Sequence, residues 1–506
     1  MPQVCSALAA AILLLACGGR ASSASSSNTN GADAGGGQAD AGAARHLPGD
    51  WTRFDYDAQR SGVGPASTGI SARNVGRLRR RVVHLDGTVD SSPIELHAIR
   101  SHGRVRDIVI VTTTYGRTIA IDPGTGAKLW EYVPPSIHSY EGSYRVTNTT
   151  PVADPSRRYV YAASPDGVIR KLSVSDGREV RRRGWPARIT YDPTREKMDS
   201  PLNLSGRYVV ATTGGYVGDA PVYQGHVAMI DRSSGRVAHV WNSLCSNRHQ
   251  LIRPPSSCHA SDSAVWSRAG PVIEPFRRRI LIATGNGPFN GSTNWGDSVL
   301  ELSSNAGRLL HNWTPVNEAG LSSTDTDLGS SSPAVLPRYA GRRLAVQGDK
   351  EGKLYLLDLG RLNGTRGGPS ARKGGELQQI ASPGSGEVLT APVVWRHRGR
   401  IYIFVADDSG TSAYVLVGGR RPRLRVAWSD GTPGTSPVLA GRLLYVYNET
   451  GGSLVVRTPG NGRRIASLPA GTGHWNSPIV VSGRIILPEG SYHDHATSGT
   501  LSIYHR

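Results

Sequence analysis

The phrase Ile119-Ala-Ile-Asp-Pro-Gly-Thr-Gly-Ala-Lys-Leu-Trp130 recurs in altered form along this chain of 506 residues. Close copies are Val227-Ala-Met-Ile-Asp-Arg-Ser-Ser-Gly235 with Trp241, and Val299-Leu-Glu-Leu-Ser-Ser-Asn-Ala-Gly307 with Trp313. Arg170-Lys-Leu-Ser-Val-Ser-Asp-Gly177 with Trp185 is another. Each begins as an alternating apolar strand and ends in Asp or Ser, whose side chain can bond the turn backbone. Glycine supplies the positive φ of the turn. The next strand brings a large aromatic that can dock on a neighbour. Such a unit cannot bury both faces alone and must stack with copies of itself.

Weaker copies continue the series at Lys353–Asp358, Ala413–Gly419 with Trp428, Ser453–Gly460, and Thr500–Tyr504 near the C-terminus. The last lacks a following strand. Asn74–Val83 is its candidate partner, and pairing them would close a ring and remove the exposed edge. The turn positions Asp122, Ser173, Asp231, Ser303, Asp358, Val417, Arg457 and Tyr504 mark eight units at unequal spacing. The expectation is an all-β, eight-bladed β-propeller whose ring is closed by its N- and C-terminal strands.

Composition agrees. Sixty-two glycines and 32 prolines suit a chain of many turns, and no sustained helical period follows the first residues. The formal charge is +19, and only six of the 58 basic residues are lysine. The arginine runs at 79–81, 181–183 and 277–279 fall beside strands or in turns, without the motifs of nucleic-acid binding. No nucleic-acid partner is expected.

Residues 1–17 read as an export signal, since the apolar run Ser6–Ala16 is too short to span a bilayer. Residues 18–46, rich in Gly, Ala, Ser and Asn, read as a flexible tether, and 47–506 as the propeller. Leu14-Leu-Ala-Cys17 resembles the cleavage box of bacterial lipoproteins, which implies lipidation at Cys17 and an extracytoplasmic protein held to the membrane only by that anchor. Cys245 and Cys258 bracket a polar loop, and an oxidising compartment favours a disulfide between them. His493-Asp-His495 offers two imidazoles from one loop, which rarely suffice for a metal.

The repeat phrase resembles the tryptophan-docking motif of pyrroloquinoline quinone (PQQ) propellers, over roughly residues 50–506. That superfamily includes eight-bladed quinoprotein alcohol dehydrogenases and cofactor-free scaffold lipoproteins of outer-membrane assembly. Ile282-Ala-Thr-Gly-Asn-Gly-Pro-Phe-Asn290 is similar to the Thr-Gly-Asn segment of the dehydrogenases. The resemblance implies that Asn286 is a Ca2+ ligand, chemically apt as a hard oxygen donor. It implies Trp266 as the flat floor beneath the quinone, Lys350 as the cation at the quinone oxygens, and Asp327 as the base, with Asp325 a second candidate. The family's carboxylate ligand to calcium is a Glu; the matching stretch, Thr213–His226, offers only Asp219. The adjacent paired cysteines of many such enzymes and a Cys-x-x-Cys-His haem site are both absent.

Two readings follow. One is a PQQ- and calcium-dependent oxidoreductase acting on a small alcohol or sugar-like substrate, with an external electron acceptor. The other is a non-catalytic scaffold that binds an envelope protein. The first requires residues 219, 266, 286, 327 and 350 to meet in one central funnel.

Overall fold

The computed structural model describes residues 49–506 apart from 217–218, 220–221, 363–372 and 492–496. The segments assigned to the signal, the lipidation site Cys17 and the tether lie outside the described residues, as does His493-Asp-His495. Eight four-stranded antiparallel sheets form the blades. Blade 1 consists of Ile94–Ser101, Arg104–Thr112, Thr118–Ile121 and Lys128–Tyr132, hydrogen-bonded in that order. Blades 2 to 7 repeat this meander, their innermost strands beginning at Val152, Asn203, Val272, Ala334, Val393 and Val438. Blade 8 takes Ile479–Val481, Arg484–Glu489 and Gly499–His505 from the C-terminal end of the chain and Arg79–Leu85 from near the start. Their register runs from Arg79 opposite His505 to Leu85 opposite Gly499, which is the predicted closure.

Every copy of the repeated phrase contributes the third strand of its blade, and in blades 1 to 7 also the turn to the fourth. Asp122 Oδ1 accepts the Gly124 and Thr125 amides, and Asp231 Oδ1 accepts those of Ser233 and Ser234. The tryptophans then dock on the next blade. Trp130 donates Nε1–H to the Val174 carbonyl at 2.8 Å, with its ring on Gly177. A methyl group on Gly177 would come within 2.5 Å of that ring. Trp428 likewise lies on Gly462 and bonds the Pro459 carbonyl. Blade 8 meets blade 1 differently. Arg81 lies over Gly126, and its guanidinium bonds the Gly124 carbonyl at 2.7 Å.

Residues 51–68 form a belt across the axis that the sequence did not signal. Trp51 exchanges two backbone hydrogen bonds with Glu95 in blade 1. The carbonyls of Thr52, Ala58, Ser61 and Gly62 accept the amides of Ala153, Ile273, Val394 and Leu439 in blades 2, 4, 6 and 7. Each of those partners is the second residue of an innermost strand. Thr68 reaches Gly483 in blade 8. Arg60, fully buried, bonds the carbonyls of Phe54 and Leu202 and so ties the belt to itself and to blade 3. Cys245 and Cys258 are bridged, with Cα atoms 6.1 Å apart.

Candidate functional site

Antiparallel strands decide which residues can meet. The approach to each innermost strand, the end of the second strand and the start of the third all lie on one face of the ring. The repeated Asp-Gly turns follow the third strands and lie on the opposite face. Asp219 is in the loop between Tyr208–Thr213 and His226–Asp231 of blade 3. Trp266 precedes the innermost strand of blade 4, and Asn286 follows its second strand, Ile280–Ala283. Asp325 caps the short helix Glu318–Thr324 with φ of 54°, and Asp327 lies on the approach to blade 5. Lys350 follows Leu344–Gly348 of that blade. All therefore point to one end of the axis.

They line or adjoin a cavity of about 290 Å³. Asp219, Trp266, Asp325, Asp327 and Lys350 form part of its wall. Asn286 stands behind them. Its backbone amide donates to Asp327 Oδ1 at 2.8 Å, and its side-chain amide donates to Asp325 Oδ1 at 2.7 Å. Asn286 Oδ1 is buried without a hydrogen-bond partner. Lys350 Nζ lies 2.6 Å from Asp327 Oδ2, 3.3 Å from Asp325 Oδ1 and 5.4 Å from the centre of the Trp266 ring. Burial lowers the Lys350 pKa, but Asp327 and Asp325 outweigh it and the net shift is upward. Gly285 is small of necessity, because a Cβ there would collide with Asp327 Oδ1. Asp219 accepts the Tyr223 hydroxyl at 2.8 Å. Burial, reinforced by Asp327 and other carboxylates, raises its pKa to about 6.

The orphaned Asn286 oxygen and the carboxylates of Asp325 and Asp327 are hard donors suited to Ca2+. Among the described residues no three acidic, histidine or cysteine side chains are gathered at metal-ligand spacing. A cation would therefore depend on the Asn286 carbonyl oxygen and on Lys350 yielding its place beside Asp327. With that exchange the donor set fits.

The far wall was not anticipated. Asp90, fully buried, accepts the Trp475 amide at 2.7 Å and pairs with His474 Nδ1 at 2.9 Å; Asn148 also donates to it. Trp475 meets Trp266 edge to face at 5.8 Å. Arg268, part of the cavity wall, packs over the belt residue Phe54 at 4.7 Å, so the belt backs the wall at that point. The positions four residues before the eight innermost strands are Asp90, Asn148, Asp199, Arg268, Ser330, Leu389, Gly434 and Trp475. A signal for them was present. A proline stands one or two residues before every innermost strand, from Pro93 and Pro151 to Pro437 and Pro478.

Comparison with known proteins agrees with this architecture. The family model described as outer membrane protein assembly factor BamB matches residues 84–243. No curated protein matches the sequence. The quinohemoprotein alcohol dehydrogenase from Comamonas testosteroni is similar in structure, with a TM-score of 0.62 and 16% identity over 90% of this chain and 80% of that one. A europium-containing methanol dehydrogenase gives 0.62 and 13%, over 91% and 98% of the two chains. BamB from Moraxella catarrhalis gives 0.50 and 12%, over 85% and 98%. In fold and in repeat, the chain is a PQQ-like eight-bladed β-propeller.

Proposed function

We propose that the central cavity binds PQQ with calcium and that the protein is an oxidoreductase for small alcohols or sugar-like substrates. The observation carrying this reading is the meeting of Asp219, Trp266, Asn286, Asp325, Asp327 and Lys350, from three blades, around one cavity. Bound there, the quinone supplies the two-electron acceptor that protein side chains lack. Trp266 offers a flat face for a planar ring system. Asn286 Oδ1 would hold the cation together with a carboxylate, Asp219 from the blade 3 side or Asp325 beside Asn286. Lys350 presents its ammonium to the ligand edge, where it favours negative charge. Asp327 takes the hydroxyl proton of the substrate on its carboxylate, with Asp325 as the second candidate. Electrons leave to an external acceptor, since the four cysteines of the sequence provide no haem-attachment motif.

The lining contains Lys197, Arg268 and Lys350 against Asp199, Asp219, Asp325, Asp327 and Glu387. A quinone with three carboxylates enters such a site only with a cation. PQQ affinity should therefore depend on calcium. Purified protein is mixed with PQQ with and without Ca2+, and the quinone absorbance and melting temperature are followed. Saturable binding that requires Ca2+ and raises the melting temperature supports the reading; no binding in either condition defeats it.

The second reading is an envelope scaffold with a protein partner. Two observations favour it: the Lys350–Asp327 pair satisfies the charges of the site without a cation, and the matched family model is that of an assembly factor. Both readings place the protein outside the cytoplasm, with residues 1–17 as leader, 18–46 as tether, and a lipid on Cys17 as the membrane anchor. Among the described residues no helix is long and apolar enough to cross a membrane.

A further inference from the structure

A side lobe of about 70 Å³ adjoins the central cavity and shares Arg268, His474 and Trp475 with it. The quinone site makes no use of this lobe, and its buried polar atoms are unmatched. Arg268 is 3% exposed, yet its Nε and Nη2 have no hydrogen-bond partner, and Nη1 reaches only the Asn148 carbonyl at 3.5 Å. The Thr435 hydroxyl and Glu449 Oε2, which line the same lobe, are also buried without partners. A buried polar atom left unpaired carries its desolvation cost without return. A donor, a hydroxyl and an acceptor around one small space form a pattern that a ligand can complete.

Charge decides the class of ligand. Asp90, Asp55 and Asp199 already act on Arg268 electrostatically, and Glu387, Asp407, Asp408 and Glu449 surround the lobe. An anion would enter against that field. The site lacks hydrogen bonds rather than positive or negative charge. Neighbouring hydroxyls on a neutral molecule supply acceptors and donors together. One accepts from Arg268, the next donates to Glu449, and Thr435 can serve either. The Trp475 indole provides an apolar face for the carbon side of such a molecule.

We infer that the side lobe holds the diol end of a small neutral polyol or sugar, bonded to Arg268, Thr435 and Glu449 and packed on Trp475. As a binding site it stands on the lobe alone; as the seat of the substrate it rests on the oxidoreductase reading.

Glycerol, glycerate and 1-propanol form a three-carbon series that tests this by calorimetric titration of the full-length protein. Glycerol should bind saturably, and glycerate and 1-propanol about tenfold more weakly or worse. Thr435→Val and Glu449→Gln should each weaken glycerol about tenfold and leave calcium-dependent PQQ binding unchanged. Asn286→Ala should do the reverse. No saturable glycerol binding, which would mean a lobe filled by water only, overturns the inference. So does equal glycerol affinity in wild type and both variants, or a preference for glycerate. Glycerol binding with no PQQ binding would uphold the side lobe and sink the quinone reading alone.

Discussion

The outer joints of the ring and its axis are built in opposite ways. At the rim one contact is reused: an aromatic ring from one blade lies on a turn glycine of the next, at Trp130 on Gly177, Trp185 on Gly235 and Trp428 on Gly462. At the axis the equivalent position takes seven residue types in eight blades, from Asp90 through Arg268 to Trp475. The difference separates two tasks. Repetition at these rim joints gives each the same apolar contact and fixes the angle between its two blades. Variety at the axis lets one ring gather charges, amides and indoles that no single blade could hold.

The largest effect should come from removing a rim aromatic. Trp130→Ala should lower the unfolding free energy by about 4 kcal/mol, measured by denaturant titration, because a buried ring and its hydrogen bond to blade 2 are both lost. An effect under about 1 kcal/mol would mean that the joint is held by something else.

His226 tests the joint between blades 2 and 3 at the cavity face of the ring. It is fully buried, with Nε2 2.7 Å from the Ile189 carbonyl, and burial lowers its pKa to about 4. A depressed histidine pKa means that the unfolded chain takes up the proton first. The stabilisation is complete above about pH 6.5 and is lost as pH falls towards 4. Wild type should lose about 3 kcal/mol more than His226→Gln over that interval, as read from paired unfolding curves. Parallel curves would refute the assignment.

Gly177→Ala places a methyl group against Trp130 at a positive φ of 71°. It should cost about 2 kcal/mol, less than loss of the ring itself. Asn286→Ala acts only at the axis. It should weaken calcium-dependent PQQ binding about tenfold and leave the melting temperature of the free protein within about 2 °C. A large fall in melting temperature would make Asn286 a structural residue. The smallest effect is expected at the closing joint, where Arg81→Ala removes a part-exposed guanidinium from the Gly124 carbonyl. About 1 kcal/mol is expected there, and a loss as large as that of Trp130→Ala would erase the distinction between docked and closing joints.

The same contrast explains what could be read from the amino acids. Asp122, Ser173, Asp231, Ser303 and the four weaker copies lie at or beside the ends of the third strands, because the rim turns face the same steric demand. The pairing of Arg79–Leu85 with the last strand followed from one unpaired edge at each end of the repeat series. Axis residues face no common demand. Trp266, Asn286, Asp325, Asp327 and Lys350 were legible only through resemblance to the dehydrogenases. Arg268 and Trp475 carry no motif of their own, and only the prolines before the innermost strands would have singled them out. The belt at 51–68 was not visible either, because its hydrogen bonds are made by backbone and leave no pattern in side chains.

That belt and the closing strand also set an order in time. Arg80 bonds Ser502 across 422 positions, and Trp475 bonds Asp90 across 385. A chain emerging from the ribosome therefore makes Trp51 and Arg79–Leu85 early and can complete blade 8 only with its last strand. The intermediate is an open arc of stacked blades with two unpaired edges, the state most exposed to misassociation. Loss of the strand Gly499–His505 should leave that arc open for good, so this strand acts as a latch, and its Leu501, Ile503 and Tyr504 are buried in the core.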